Sequence, residues 1–176
     1  MPVNLPSVYK ASLTFLGTKV PLPKSSFNSG KRAKSFLAFL SKKGISSDDN
    51  LSTIVSSLKE RATFIGDLWE QGSFFFETPK NYDEKASKKA FKEDTPQILQ
   101  SVLEILQGTD DYSAANLSEK IKGWITSQEM GIGSVMMPLR LSLVGAMQGP
   151  DVFDIASILG KEESIQRLNK AVETIS

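Results

Sequence analysis

A single arginine, Arg140, stands in an otherwise uncharged run from Val135 to Pro150, and the pair Gly149-Pro150 closes that run. Arginine offers a planar fork of N–H donors suited to a phosphate, or to the edge or face of a base. A Gly-Pro turn between two apolar helices lets backbone come close to a ligand, because glycine has no Cβ to hold it off. A second arginine, Arg61, sits at the polar elbow Lys59-Glu60-Arg61-Ala62. Such residues suit recognition rather than bond making. Each also has a plainer reading. Arg140 could snorkel to pair with Asp151 or Asp154, Gly149-Pro150 could be a bare turn, and Arg61 could make a surface ion pair with Glu60 or Asp67, which is worth little.

Composition narrows the chemistry. The chain has no cysteine and no histidine. Disulfides, thiolate zinc sites and the commonest general base are therefore excluded. Asp110 and Asp111 read as a loop, since no third oxygen ligand stands at a defined spacing beside them. No catalytic and no metal-binding residues are expected. Charge is uneven: residues 1–43 carry eight Lys or Arg and no acid, leaving thirteen bases against twenty acids, net −7, for the rest. A basic end is either a solvated tail or an attraction for a polyanion. No apolar run approaches a membrane span and no signal peptide opens the chain, so a soluble, cytoplasmic protein without membrane contact is expected.

The elements that must hold these residues are helical. Residues 1–30, punctuated by prolines at 2, 6, 21 and 23, are the exception: a leader with at most a short strand over Ala11 to Val20. From Lys31, Ala33, Phe36, Leu37 and Leu40 form an i, i+3, i+4, i+7 stripe stopped by Gly44. A second helix is capped by Ser46, with acids at 48 and 49 and a stripe of Leu51, Ile54, Val55 and Leu58. A third is expected from about Thr63 to Phe75, and a short lysine-rich one from Tyr82 through Phe91. Thr95 is expected to cap the helix Pro96 to Gln107, and Asn116 with Glu119 to open the next. The run from Val135 breaks at Gly145 and restarts at the cap Asp151, giving Val152 to Leu159. Lys161 to Ile175 follows, presenting Ile165, Leu168, Val172 and Ile175. The fold class is all-α, two packed helical subdomains (31–92 and 93–176) behind the leader. Trp69, Phe74, Phe75 and Phe76 fall at helical spacing and read as core. Lys85, Lys88, Lys89 and Lys92 form a solvated face that grazes phosphates at most, as do Lys120 and Lys122.

Three blocks occur in order: P-L-R-x-x-L-x-G from Pro138, G-P-x-x-F-D-I from Gly149, and L-G-K-E-x-x-x-x-R-L from Leu159. Together with L-K-E-R-A-T-F-I-G-D-L-W-E-Q-G-S-F-F-F (Leu58 to Phe76), they resemble the C-terminal anticodon-binding region of bacterial-type glutamyl-tRNA synthetases, class I aminoacyl-tRNA synthetases. The likeness runs from about Ser35 to the C-terminus. It implies anticodon recognition as part of a glutamate–tRNA ligase, with the tRNA(Glu) anticodon loop as partner, a catalytic domain elsewhere in the same enzyme, and a monomer. The contacts it implies are Arg61 at the first anticodon base, separating glutamate from glutamine codons, and Arg140, Gly149, Pro150 and Val152 at other anticodon bases, with Val152 packing on one. Gly149 brings no side-chain donor, so any contact there uses backbone groups.

The whole enzymes use ATP and Mg²⁺, but residues 1–176 hold no counterpart of their H-I-G-H and K-M-S-K-S type motifs. No cofactor is expected in this chain. The alternative is an all-α protein-interaction module without RNA specificity, its apolar grooves taking partner helices. A standalone enzyme is the weakest reading.

Overall fold

The computed structural model describes residues 29–45, 50–58 and 62–175, with side chains from Ala33 onward. The expected strand over Ala11 to Val20, the cap Ser46 with its acids, and Arg61 lie outside the described residues. The helices are α1 Ser29–Lys42, α2 Leu51–Leu58, α3 Ile65–Gly72, α4 Glu84–Ala90, α5 Thr95–Gln107, α6 Ala114–Ser127, α7 Ile132–Val144, α8 Val152–Leu159 and α9 Lys161–Ile175, with a 3₁₀ turn at Ser73–Phe75. Among the described residues there is no strand, and the all-α expectation holds.

Helix α7 is apolar on nearly every side, burying Val135, Pro138, Leu139, Leu141, Leu143 and Val144. A helix without a polar face must be surrounded. It is: α4, α5, α6, α8 and α9 all pack on it. Pro138 lies inside this helix without an N–H to donate, and Ser142 Oγ donates to its carbonyl at 2.8 Å. Around α7 gathers the larger core, which includes Val102, Leu106, Leu117, Ile121, Phe153, Ile155 and Leu168. Each such side chain taken fully out of water contributes about 1.5–3 kcal/mol before entropy is charged against it. A smaller core joins α1, α2 and α3 through Phe36, Leu40, Val55, Leu58 and Leu68. Ile158 of α8 packs against it, and Asn50 Nδ2 donates to the Ile158 carbonyl at 3.4 Å. Ala86 and Ala90 of α4 pack with Leu141, so α4 shares apolar contacts with the second half of the chain.

Several local expectations are corrected. Leu37, placed in the first stripe, is 39% exposed, while Ala33, Phe36 and Leu40 are buried. The third helix stops at Gly72, where a Cβ would run into the Leu58 side chain, and only the 3₁₀ turn carries on to Phe75. Thr95 is inside α5 rather than its cap. Its buried hydroxyl accepts from Lys92 N at 2.8 Å and donates to Ala90 O at 3.2 Å, tying the end of α4 to the start of α5. Asp94 takes the cap position without a side-chain bond. Helix α6 begins earlier than expected, because Ser113 Oγ accepts from Asn116 N while the Asn116 side chain donates back to Asp111 O at 2.6 Å.

Candidate nucleic-acid interface

The segment between α7 and α8 is pinned at both ends. Gly145, at φ +81, caps α7 with its N–H on Leu141 O (2.7 Å), and its own carbonyl accepts from Asp83 N at 2.8 Å. Few residues other than glycine adopt that angle. A Cβ at Gly145 would also meet Pro79 Cβ at 2.9 Å and Asn81 O at 3.0 Å. At the far end Asp151 caps α8, its Oδ1 accepting from Phe153 N at 2.8 Å.

Arg140 spans the segment. Its Nη1 donates to Gln148 O at 2.9 Å and to Pro150 O at 2.8 Å. Bonds from a charged donor are worth about 1.5–3 kcal/mol each. The arginine therefore fixes the backbone around Gly149 from the preceding helix. It is half-buried, so part of its surface lies at the face of the turn. This brings Arg140, Gly149 and Pro150 together, as the sequence suggests.

Two details differ from the sequence reading. Gly149, at φ +93, is buried, and its open side faces inward: a Cβ would stand 3.1 Å from Phe74 Cζ and 3.3 Å from Ile155 Cδ1. The missing side chain leaves room for Phe74 and Ile155. Val152 is 3% exposed and belongs to the larger core, which leaves its side chain almost no surface for a base to pack on. Neither fact is legible in one dimension, because a turn's inner and outer faces depend on the helices beneath it.

Sequence reasoning also missed Met147. It lies on this same segment and is 44% exposed. The only signal was an unbranched apolar residue between two glycines. Lys122 of α6 has its Nζ 5.4 Å from the centroid of the Phe153 ring in the first turn of α8.

The elbow is described only on its downstream side. Asp67 Oδ2 accepts from Thr63 N and Phe64 N, both at 2.8 Å, so this acid holds the chain that follows Arg61 onto the start of α3. The aromatics near it pack inward or on each other. Phe74 is 4% exposed, and Trp69 lies against Phe76 with centroids 6.2 Å apart. Lys43 Nζ sits 4.6 Å from the Trp69 centroid.

Behind the turn, α9 carries a nearly fully buried arginine. Arg167 Nε bonds Glu163 Oε1 at 2.7 Å, and its Nη1 donates to Leu143 O, in the last turn of α7, at 2.6 Å. The same Glu163 oxygen accepts from Thr78 Oγ1 at 2.8 Å, and Lys170 Nζ donates to Pro79 O at 2.7 Å. Burial pushes the Glu163 carboxyl up, but hydrogen bonds from Arg167 and Thr78, with the Arg167 charge, bring it below the usual carboxylate range. Helix α9 thus ties the 78–83 segment and the end of α7 into one frame.

Among the described residues no three His, Cys, Asp or Glu side chains are grouped so as to hold a metal ion. No described helix is long and apolar enough to cross a membrane.

The chain is similar to known proteins in sequence and in fold. The family model described as the anticodon binding domain matches residues 30–172. A glutamate–tRNA ligase from Flavobacterium johnsoniae is 45% identical over 149 residues, 84% of this chain and 30% of that protein. One from Christiangramia forsetii is 47% identical over 144 residues, 81% of this chain and 28% of that one. The crystal structure of a glutamate tRNA ligase from Elizabethkingia meningosepticum, in complex with its amino acid, is similar with a TM-score of 0.81 and 40% identity. That match covers 85% of this chain and 30% of the other. The chain spans less than a third of the length of these relatives.

Proposed function

The chain belongs to the anticodon binding domain family, of the glutamate–tRNA ligase type, and we propose that the turn held by Arg140 reads the anticodon loop of tRNA(Glu). One observation carries the proposal. The segment from Gly145 to Pro150 is fixed from Asp83, from Arg140 and from the Phe74 side, while Met147 and Gln148 remain exposed on it. A rigid backbone with outward side chains suits unstacked bases, whose faces and edges are open only in single strands. Binding to it loses little ordering entropy.

Arg140 and Pro150 line this surface, with Arg140 placing the turn and meeting the loop beside it, and the buried Gly149 gives the turn its bend. Val152 contributes by anchoring the turn to the core. Arg61 reads the first anticodon base from the elbow. The rest of the ligase supplies the catalytic domain, which activates glutamate with ATP and Mg²⁺ in the cytoplasm, and this chain's share is binding, as a monomer. The lysine face of α4 adds a sequence-independent, salt-sensitive part of the affinity.

Titration with tRNA(Glu) at two salt concentrations tests this reading. Saturable binding that strengthens as salt falls is expected; its absence would leave a protein-interaction module. Arg140→Ala should weaken anticodon-dependent binding more than Lys88→Ala does, and the reverse order would reduce the interaction to electrostatic adhesion. Arg61→Gln should cost about 1–3 kcal/mol of discrimination at the first anticodon base, on the order of ten- to a hundredfold. Equal ratios for parent and variant across tRNAs differing at that base would remove Arg61 from the site.

A further inference from the structure

Three consecutive aromatics follow α3, and they pack in three different places. Phe74 is buried in the larger core, where its ring lies beneath the turn at Gly149. Phe76 packs on the smaller core, its ring 5.8 Å from that of Phe36 and 6.2 Å from that of Trp69. Phe75, half-buried between them, packs against both cores, with its ring 4.4 Å from that of Phe74. The 3₁₀ turn makes this division possible, since successive side chains leave it about 120° apart.

The other side of this seam is made by α8. That helix starts from the cap Asp151, and its far end puts Ile158 against the smaller core, where Asn50 Nδ2 donates to the Ile158 carbonyl at 3.4 Å. Asn50 stands just ahead of α2, which runs to Leu58 at the edge of the elbow. Leu58 and Ala62, one on each side of Arg61, are both buried in the smaller core. Helices α1, α2 and α3 pack on one another, while the 3₁₀ turn packs on α8. The turn bonded by Arg140 is thus set on one core and the flanks of the elbow on the other. Phe75 and Ile158 join the two.

We infer that Phe75 and Ile158 are positioning residues for anticodon reading: they hold the elbow at Arg61 and the turn at Arg140 at one spacing, so that both meet a single loop. This inference rests on the proposed anticodon reading. Two contacts on a preset frame act as one bivalent site, whereas a loose frame must be ordered each time the second contact forms. A seam that served stability alone would change how much of the protein is folded. It would not change how strongly the folded part discriminates between bases.

Two measurements test this, one of them without RNA. The chain has no cysteine, so spin labels at Lys34→Cys on α1 and Gln100→Cys on α5 report the distance between the cores in the whole chain. A narrow distribution is expected for the parent and a broad one for Phe75→Ala and Ile158→Ala. Phe75→Leu should stay narrow, as should Ile165→Ala, which trims a half-buried residue packed on the larger core. Affinity for a synthetic anticodon stem-loop of tRNA(Glu) is then measured for each, with and without Arg61→Gln. Phe75→Ala is expected to bind about tenfold more weakly than the parent. Arg61→Gln should cost on the order of ten- to a hundredfold in the parent but about threefold or less in Phe75→Ala, where the elbow contact must offset the ordering of the frame. Phe75→Leu should restore both values, and Ile158→Ala repeats the test from the α8 side should Phe75→Ala not fold. Distributions as narrow in both alanine variants as in the parent overturn the inference. An unchanged effect of Arg61→Gln in a broadened variant overturns it too, and leaves the anticodon reading standing. If the parent does not bind the stem-loop, or loses nothing with Arg61→Gln, the two-point reading falls and takes the inference with it.

Discussion

Arg167→Met is expected to lower the stability of the folded chain by about 3 kcal/mol, a fall in Tm on the order of 6–12 °C for a domain of this size. Removing one partner of a buried ion pair costs about 3–5 kcal/mol when the other is left uncompensated. Glu163 softens this, since its side chain keeps 32% of its exposure and can turn to water. Leu143 O has no such escape, because Leu143 is fully buried. A buried acceptor stripped of its donor costs about 1–3 kcal/mol. Lysine at 167 would not rescue the fold, because a single ammonium lacks the fork that spans Glu163 and Leu143 O together. The pair also sets a pH dependence. Glu163 is depressed in the folded state, so its stabilisation is complete above the ordinary carboxylate range and is lost as pH falls through its lowered folded value. Urea unfolding of the parent, Arg167→Met, Glu163→Gln and the double variant, at neutral pH and in acid, checks both statements. Additive single losses would show that the two side chains do not act as a pair.

Arg167 also shows where the sequence stopped being legible. Reading apolar positions alone puts the inner face of α9 at Ile165, Leu168, Val172 and Ile175. The buried set is Ser164, Arg167, Leu168 and Ala171. That is the same helical period rotated by one position, with Ile165 and Val172 at its edges. The signal for the rotation was present, since Glu163 and Arg167 stand at the i, i+4 spacing of a helical ion pair. Charge normally marks the solvent side of a helix, so that spacing by itself does not turn the inner face toward Arg167. Helix existence and most ends were readable for the opposite reason: α5, α7, α8 and α9 are bounded by Pro, Gly and Asp, whose backbone preferences act locally. The start of α6 was not, because Ser113 and Asn116 both carry capping side chains, and only their geometry decides which one caps.

The candidate site divides the same way. That Arg140 and Gly149-Pro150 come together followed from one helix, one break and one turn. Which way the turn faces did not, since Phe74 lies 75 positions before Gly149 and belongs to another part of the chain. The inward side of Gly149 and the exposure of Met147 share this origin. The sequence places residues on the turn but does not assign them to its inner or outer side.

Gly149→Ala separates the two accounts of that glycine. At φ +93 an L side chain costs about 1–2 kcal/mol. The new methyl would also press on Phe74, whose ring already packs 4.4 Å from that of Phe75, and on Ile155, which is fully buried. Overpacking a filled core adds about 1–3 kcal/mol. The expected total is about 2–5 kcal/mol, read as a lower urea midpoint with an unchanged slope. Gly44→Ala is the matched comparison: it has φ +75 but nothing within 4 Å of the added Cβ, so it should lose only the backbone part. Gly149→Ala should weaken tRNA binding as well, because moving the turn off Phe74 pulls Gln148 and Pro150 away from Arg140. Should the two variants prove equally stable, with binding lost only in Gly149→Ala, the open side of the glycine would have to face the RNA. The core would then no longer explain why the turn needs a residue without a side chain.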